Sequence, residues 1–326
     1  MDAALDSLGQ ANLADWTPVR AGLQSGGHIV WARLDEPFTE PFFEQTADRA
    51  MRRPFNQIFA RRTSLAALDD AATRAPAIPP SGFIFHMSRC GSTLIAQMLA
   101  GLPSAVVLSE PQPLDALIRL RRGAPNLPEE TLLRWFRGMV SALGRPRRGE
   151  QRLFVKFHAW HVLELPFIAR AFPGVPWLFV FREPRAVLRS QARNAGPELL
   201  AGMIDPAYLG IQDPAELASP DYGARVVASF CDAALRHRAV GRGMFVDYAA
   251  LPGAVTSHVS EFFALPRSAA DTQRMHEAAL RDTKAALTAP RLHAPQDGAA
   301  TVEHMAATWL DAPYAALRAL ATTPQS

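Results

Sequence analysis

The stretch that constrains this chain most is residues 81–110, SGFIFHMSRCGSTLIAQMLAGLPSAVVLSE. Phe83, Ile84 and Phe85 form a short apolar run behind Pro79, Pro80 and Gly82, the pattern of a buried strand. A polar turn follows, Ser88-Arg89-Cys90-Gly91-Ser92-Thr93, and then Leu94, Ile95, Met98 and Leu99 recur with helical spacing. Strand, small-residue turn and helix together make an anion cradle. The first amides of a helix lack internal partners, and the helix dipole adds partial positive charge there. Gly91 lets the backbone approach a ligand, Cys90 is a small residue offering its amide, Ser88, Ser92 and Thr93 offer hydroxyls, and Arg89 adds a fixed cation.

The same alternation continues down the chain. Strands are expected over 104–108, 153–157, 176–181 and 244–248. Helices are expected over 113–122, 131–143, 162–171, 223–240, 255–263 and 271–287, with another starting at Pro184 and closing helices within 302–320. Strands that alternate with helices argue for an α/β fold, a parallel sheet covered on both faces, with ligands beyond the carboxyl ends of its strands. Arg89, Glu110, His158 and Arg182 each stand just after an expected strand. Residues 1–78 read as a small N-terminal appendage, with a strand over 28–34, helices over 41–52 and 63–71, and a proline-containing linker over 73–80. Residues 79–326 then form the main domain. The proline-studded stretch 195–221 is irregular, as a lid or an acceptor wall would be.

Composition removes several function classes. The chain has no run of 18 apolar residues and its first residues lack the basic start and apolar core of a signal peptide, so no membrane partner is expected. Two cysteines, Cys90 and Cys231, fit a reducing cytoplasm better than a disulfide framework. A net charge of +3 without basic blocks interleaved with aromatics gives no case for nucleic acid. Lys156 and Lys284 are the two lysines among 34 basic residues. No His/Cys/Asp cluster has metal-ligand spacing, His158 and His161 being an isolated pair, so no metal is expected.

The turn at Ser88 is not a Walker A loop, which needs Gly, four residues, then Gly-Lys-Ser/Thr. Its order of cation, small residue, Gly, Ser and Thr resembles the P-loop-like element that holds the 5′-phosphosulfate in sulfotransferases. Those enzymes use 3′-phosphoadenosine 5′-phosphosulfate (PAPS). A second segment resembles the same family: a strand ending in Phe181, then Arg182, Pro184 and, eight residues after the arginine, Ser190. The resemblance spans roughly residues 81–265 and implies the P-loop-like sulfotransferase fold. It implies that residues 88–93 bind the phosphosulfate, that Arg182 and Ser190 hold the 3′-phosphate, and that a basic loop near Lys284 and Arg291 closes over the nucleotide. Arg suits phosphate because its planar fork pairs with two oxygens.

Sulfuryl transfer, like phosphoryl transfer, needs positioning, charge neutralisation and removal of the acceptor proton. The base is Glu110 or His158. Glu110 resembles the catalytic Glu of protein-tyrosine sulfotransferases, whereas Lys156-Phe157-His158 resembles the Lys-Thr-His stretch of the cytosolic small-molecule enzymes. Glu110 is favoured because Arg89 and its spacing follow the Glu-using branch. The acceptor would be a small molecule, a carbohydrate or a peptide. The alternatives are a P-loop small-molecule kinase and a non-catalytic nucleotide-binding protein of the same fold.

Overall fold

Short runs of β-branched and aromatic residues become the strands. The computed structural model describes residues 13–23, 27–69, 77–193, 196–200, 203–212, 216, 221–266, 268–288 and 298–322. Among them the strands are β1 (Trp16–Gly22), β2 (His28–Arg33), β3 (Arg61–Ser64), β4 (Pro80–His86), β5 (Ala105–Ser109), β6 (Arg152–Lys156), β7 (Trp177–Phe181) and β8 (Gly243–Asp247). The first three form an antiparallel sheet in the order β1-β2-β3. The other five form the expected parallel sheet, in the order β5-β6-β4-β7-β8. Every residue of β7 is buried, which is why its sequence WLFVF has no polar alternation.

The principal helices are α1 (Phe43–Met51), α2 (Pro54–Phe59), α3 (Ser92–Ala100), α4 (Gln112–Gly123), α5 (Glu129–Leu143), α6 (Leu165–Ala171), α7 (Pro184–Arg193), α8 (Tyr222–Arg236), α9 (Ala269–Thr288), α10 (Ala299–Met305) and α11 (Asp311–Thr322). The chain divides into two compact units. The first comprises Met1–Gly82, Leu99–Lys156 and Phe167–Val175; the second comprises Phe83–Met98, Phe157–Pro166 and Pro176–Ser326.

In the first unit the antiparallel sheet is tied to α4. The Gln112 amide donates to the carbonyl of Ala21 and accepts from its N–H, both at 2.8 Å. Arg145, buried, donates to the carbonyls of Leu13, Ala14 and Trp16, and so anchors the segment that enters β1. In the second unit Phe85 stacks on Phe157 with ring centroids 5.0 Å apart, and Trp177 meets Phe85 and Phe245 edge-on. The C-terminal helices are clamped by Arg185 of α7, which bonds Glu303 at 2.6 and 2.9 Å and Asp311 at 2.5 and 3.0 Å.

Three stretches differ from the sequence expectation. Residues 63–71, TSLAALDDA, were expected to be helical. Instead Arg61–Ser64 pairs with β2, and only Leu65–Leu68 turns, as a 3₁₀ segment; residues 70 and 71 lie outside the described residues. Tertiary pairing has overridden propensity there. The helix expected over 162–171 starts late. Ala159–Glu164 winds as 3₁₀ and α6 begins at Leu165, because Pro166 fits only the first turn of an α-helix. Strand β1 was not expected, since Pro18 interrupts it. Pro18 is tolerated because β1 is an edge strand and its register shifts between Pro18 and Arg20.

Candidate functional site

The second unit carries the turn after β4. Its backbone is unusual: Ser88, Arg89 and Gly91 all have left-handed φ, at 71°, 51° and 83°. Non-glycine residues rarely adopt this region, and each costs on the order of 1 kcal/mol or more. Such strain persists only where the surroundings enforce it, and here they do so by hydrogen bonds. The N–H of Ser88 donates to Nδ1 of His86 at 3.1 Å, and Nε2 of His86 lies 3.1 Å from the carbonyl of Phe157. The N–H of Met87 donates to the carbonyl of Val180 at 3.1 Å. The thiol of Cys90 is buried and donates to the same carbonyl at 3.0 Å. Cys90 therefore turns its side chain inward and leaves the loop lined by backbone.

Gly91 stands immediately before α3, the N-cap position, and has no side chain with which to cap it. The start of α7 contrasts with this. There the carboxylate of Glu183 accepts from the N–H groups of Arg185 at 2.8 Å and Ala186 at 2.7 Å, so the helix terminus is already occupied. Of these two strand-to-helix turns, the one before α7 carries a side-chain cap, while the one after β4 enters its helix on glycine. A Cβ on Gly91 would lie 2.7 Å from Cδ2 of Tyr248 and 3.0 Å from Cδ1 of Leu251, so close packing as well as φ demands glycine.

Arg182, just after β7, reaches the same loop. Its guanidinium lies 4.1 Å above the Tyr248 ring, and one of its nitrogens is 3.4 Å from the carbonyl of Arg89. Its own N–H donates to Sδ of Met87 at 3.1 Å. Loop, Arg182 and Tyr248 thus form one assembly: the ring is wedged between Gly91 and the guanidinium and fixes both. Ser190 sits half-buried on α7, two turns beyond Arg182. His158 precedes the Ala159–Glu164 turn, half-buried, with its ring 5.2 Å from that of His161. Ser92 is buried and Thr93 half-buried at the start of α3.

The first unit brings Glu110 and Lys156 together. They follow or end the paired strands β5 and β6, in which Ser109 is in register with Lys156. The N–H of Glu110 donates to the carbonyl of Lys156 at 2.7 Å, and the Lys156 ammonium forms an ion pair with the Glu110 carboxylate. Lys156 is 1% exposed and the Glu110 side chain 18%. Glu110 is also left-handed, with φ 56°. A lysine this deeply buried is tolerated only when its charge is matched, so the pair acts as a unit. The Lys156 ammonium also lies 5.2 Å from the ring of Phe42.

Lys284 lies on α9, with its side chain outside the described residues, and Arg291 lies outside them altogether. Three residues that sequence reasoning passed over belong to the loop's surroundings: His86, Tyr248 and Glu198. Tyr248 directly follows β8 and could have been found by the rule that singled out Arg89, Glu110, His158 and Arg182. Glu198, whose carboxylate accepts from the Ser88 hydroxyl, comes from the stretch without periodicity and had no such signal.

No protein-family model matches the chain, and no curated protein matches its sequence. Solved structures similar to it include two mycobacterial sulfotransferases. Against a sulfotransferase from Mycobacterium avium (STF9) the identity is 15%, the match covers 76% of this chain and 80% of the other, and the TM-score is 0.45. Against a sulfotransferase from Mycobacterium tuberculosis H37Rv (STF1) the identity is 15%, the coverage 72% and 77%, and the TM-score 0.41.

Proposed function

We propose that this chain is a sulfotransferase that moves a sulfuryl group from PAPS to a hydroxyl or amine of a small-molecule, carbohydrate or peptide acceptor. The observation that carries this reading is the assembly of the left-handed Ser88-Arg89-Cys90-Gly91 turn with Arg182 and Tyr248. The turn supplies backbone donors and a cation for one anionic group. Arg182 supplies a second fixed cation for another. A nucleotide with phosphate on both its 5′ and 3′ positions uses both stations; a nucleotide with a 5′ chain alone uses one.

In the reaction the acceptor oxygen or nitrogen attacks sulfur, and the bond from sulfur to the 5′-phosphate oxygen breaks. The electron pair stays on that oxygen, where Arg89 and the α3 amides stabilise it. The acceptor proton passes to a base, which the reading assigns to Glu110, with His158 as the competing candidate. Lys156 orients the Glu110 carboxylate through their ion pair. Gly91, Ser92 and Thr93 line the phosphosulfate turn, Ser190 assists Arg182, and Lys284 on α9 and Arg291 are assigned to covering the nucleotide.

The test is a calorimetric titration, without magnesium, of 3′-phosphoadenosine 5′-phosphate, 5′-AMP and ATP. The reading expects the bisphosphate to bind at least about tenfold more tightly than AMP, the worth of one charge-assisted contact. Equal affinity for the two, or a preference for ATP, overturns it.

A further inference from the structure

The partners of His86 fix its chemical state. The Ser88 N–H is a backbone donor, so Nδ1, 3.1 Å away, is the acceptor and carries no proton. The Phe157 carbonyl is an acceptor, so Nε2, also at 3.1 Å, carries the proton and donates it. Both partners are backbone groups whose roles cannot reverse, and the ring is therefore neutral with its proton on Nε2. His86 is buried, at 6% exposure, at the end of β4, in register with Val180 of β7. It ties the first residue of the anion turn to the chain that follows β6.

We propose that His86 is a positioning residue for the anion turn, and that adding a proton to its Nδ1 releases the turn and weakens donor binding in acid. The inference rests on the sulfotransferase reading only in its choice of ligand. A proton on Nδ1 would set two donors face to face across 3.1 Å. The Ser88 N–H would lose its acceptor, and with it goes the restraint that holds Ser88 at φ 71°. Arg89 follows Ser88 directly and Gly91 comes two residues later in the same turn, so their placement goes with it. The bond from position 86 to position 88 has the spacing of an Asx turn, in which a short side-chain oxygen accepts from the N–H two residues on. Asparagine places Oδ1 where histidine has Nδ1, and does not titrate.

The charged and titratable groups on neighbouring segments are Arg89 in the turn, Arg182 after β7, His158 and His161 beside Phe157, and Glu198, which reaches Ser88 through its hydroxyl. Glu198 is the one of these joined to the same residue as His86. A Glu198→Gln variant keeps a partner for the Ser88 hydroxyl but removes the charge from that contact.

The experiment compares wild-type protein, His86→Asn, His86→Leu and Glu198→Gln. 3′-Phosphoadenosine 5′-phosphate affinity is measured at several pH values between about 8 and 5, the range in which histidine changes charge. The ligand's own phosphates titrate here as well, and the asparagine variant reports every contribution other than that of the His86 ring. Wild type and Glu198→Gln are expected to lose roughly tenfold more affinity across the range than His86→Asn, while His86→Leu binds weakly at every pH. An acid loss equal in wild type and His86→Asn, or its disappearance in Glu198→Gln, overturns the proposal. Nitrogen-15 spectra of the imidazole rings in the full chain decide the point without the nucleotide. His86 is expected as the Nε2–H form at neutral pH, with the Ser88 amide shifting as the ring titrates. A ring protonated on Nδ1 at neutral pH, or a Ser88 amide indifferent to the titration, refutes the positioning role. Nucleotide binding absent from every variant at every pH instead refutes the sulfotransferase reading and leaves the ring spectra to decide for His86.

Discussion

Replacing Gly91 with alanine tests the turn at its tightest point. At φ 83° an L-residue costs about 1–2 kcal/mol relative to glycine. The added methyl would lie 2.7 and 2.9 Å from two ring carbons of Tyr248 and 3.0 Å from Leu251, where carbon contacts prefer about 3.5–4.0 Å. The ring must therefore retreat, and it is the ring on which the Arg182 guanidinium rests at 4.1 Å. Disturbing that contact forfeits about 0.5–1 kcal/mol more. Gly91→Ala should then destabilise the protein by about 2–3 kcal/mol and lower its melting temperature by on the order of 5 °C. Calorimetric melting reads this directly. Combining it with Tyr248→Ala sharpens the test. The double variant has no ring to collide with but keeps the unfavourable φ, so the two effects should fall short of additive by about 0.5–1 kcal/mol. Melting of Gly91→Ala within about 1 °C of wild type, or strict additivity in the double variant, would refute the packing account.

Three further outcomes are expected. Arg182→Ala should weaken 3′-phosphoadenosine 5′-phosphate by about 10- to 100-fold and 5′-AMP far less, read by calorimetry; equal losses would detach Arg182 from the 3′-phosphate. Glu110→Gln should cut turnover with PAPS and an acceptor by about 10²–10⁴ and, because Lys156 then faces a neutral amide, also reduce stability by about 1–3 kcal/mol. His158→Asn should cost less turnover, and the reverse order would move the base to His158. Arg185 holds the carboxyls of Glu303 and Asp311 below their usual range through hydrogen bonds. Depressed carboxyls contribute stability above their unfolded value, about 4, and lose it as pH falls below that. Protection factors of the α10 and α11 amides, with the intrinsic pH dependence of exchange removed, should therefore fall as the pH drops below about 4, and a flat profile there would refute the clamp.

The parallel sheet was legible because β4, β5, β6 and β7 are short apolar runs, each bounded by a turn, and sheets buried on both faces leave that trace. The turn after β4 was legible from Gly91 and its hydroxyl neighbours. Its left-handed Ser88 and Arg89 were not, since neither residue type announces φ and the enforcing bonds come from His86 and the strand alongside. The pairing of Glu110 with Lys156 depends on strand register, which no local pattern records. Strand β1 was hidden by Pro18, and the 3₁₀ start before α6 by a hydrophobic pattern that ignores Pro166. Propensity and periodicity describe one segment at a time; these features arise between segments.

The burial of Lys156 has a practical consequence for labelling. The chain holds two lysines, and one of them is 1% exposed and locked to Glu110. An amine-reactive acylating reagent can reach the Lys156 nitrogen only when the side chains around it open. The fraction of chains modified at this residue therefore counts openings around one ion pair against a background nearly empty of other amines in the chain. Mass spectrometry of one peptide would then follow the integrity of that pair in a cell extract, with no mutation and no added tag.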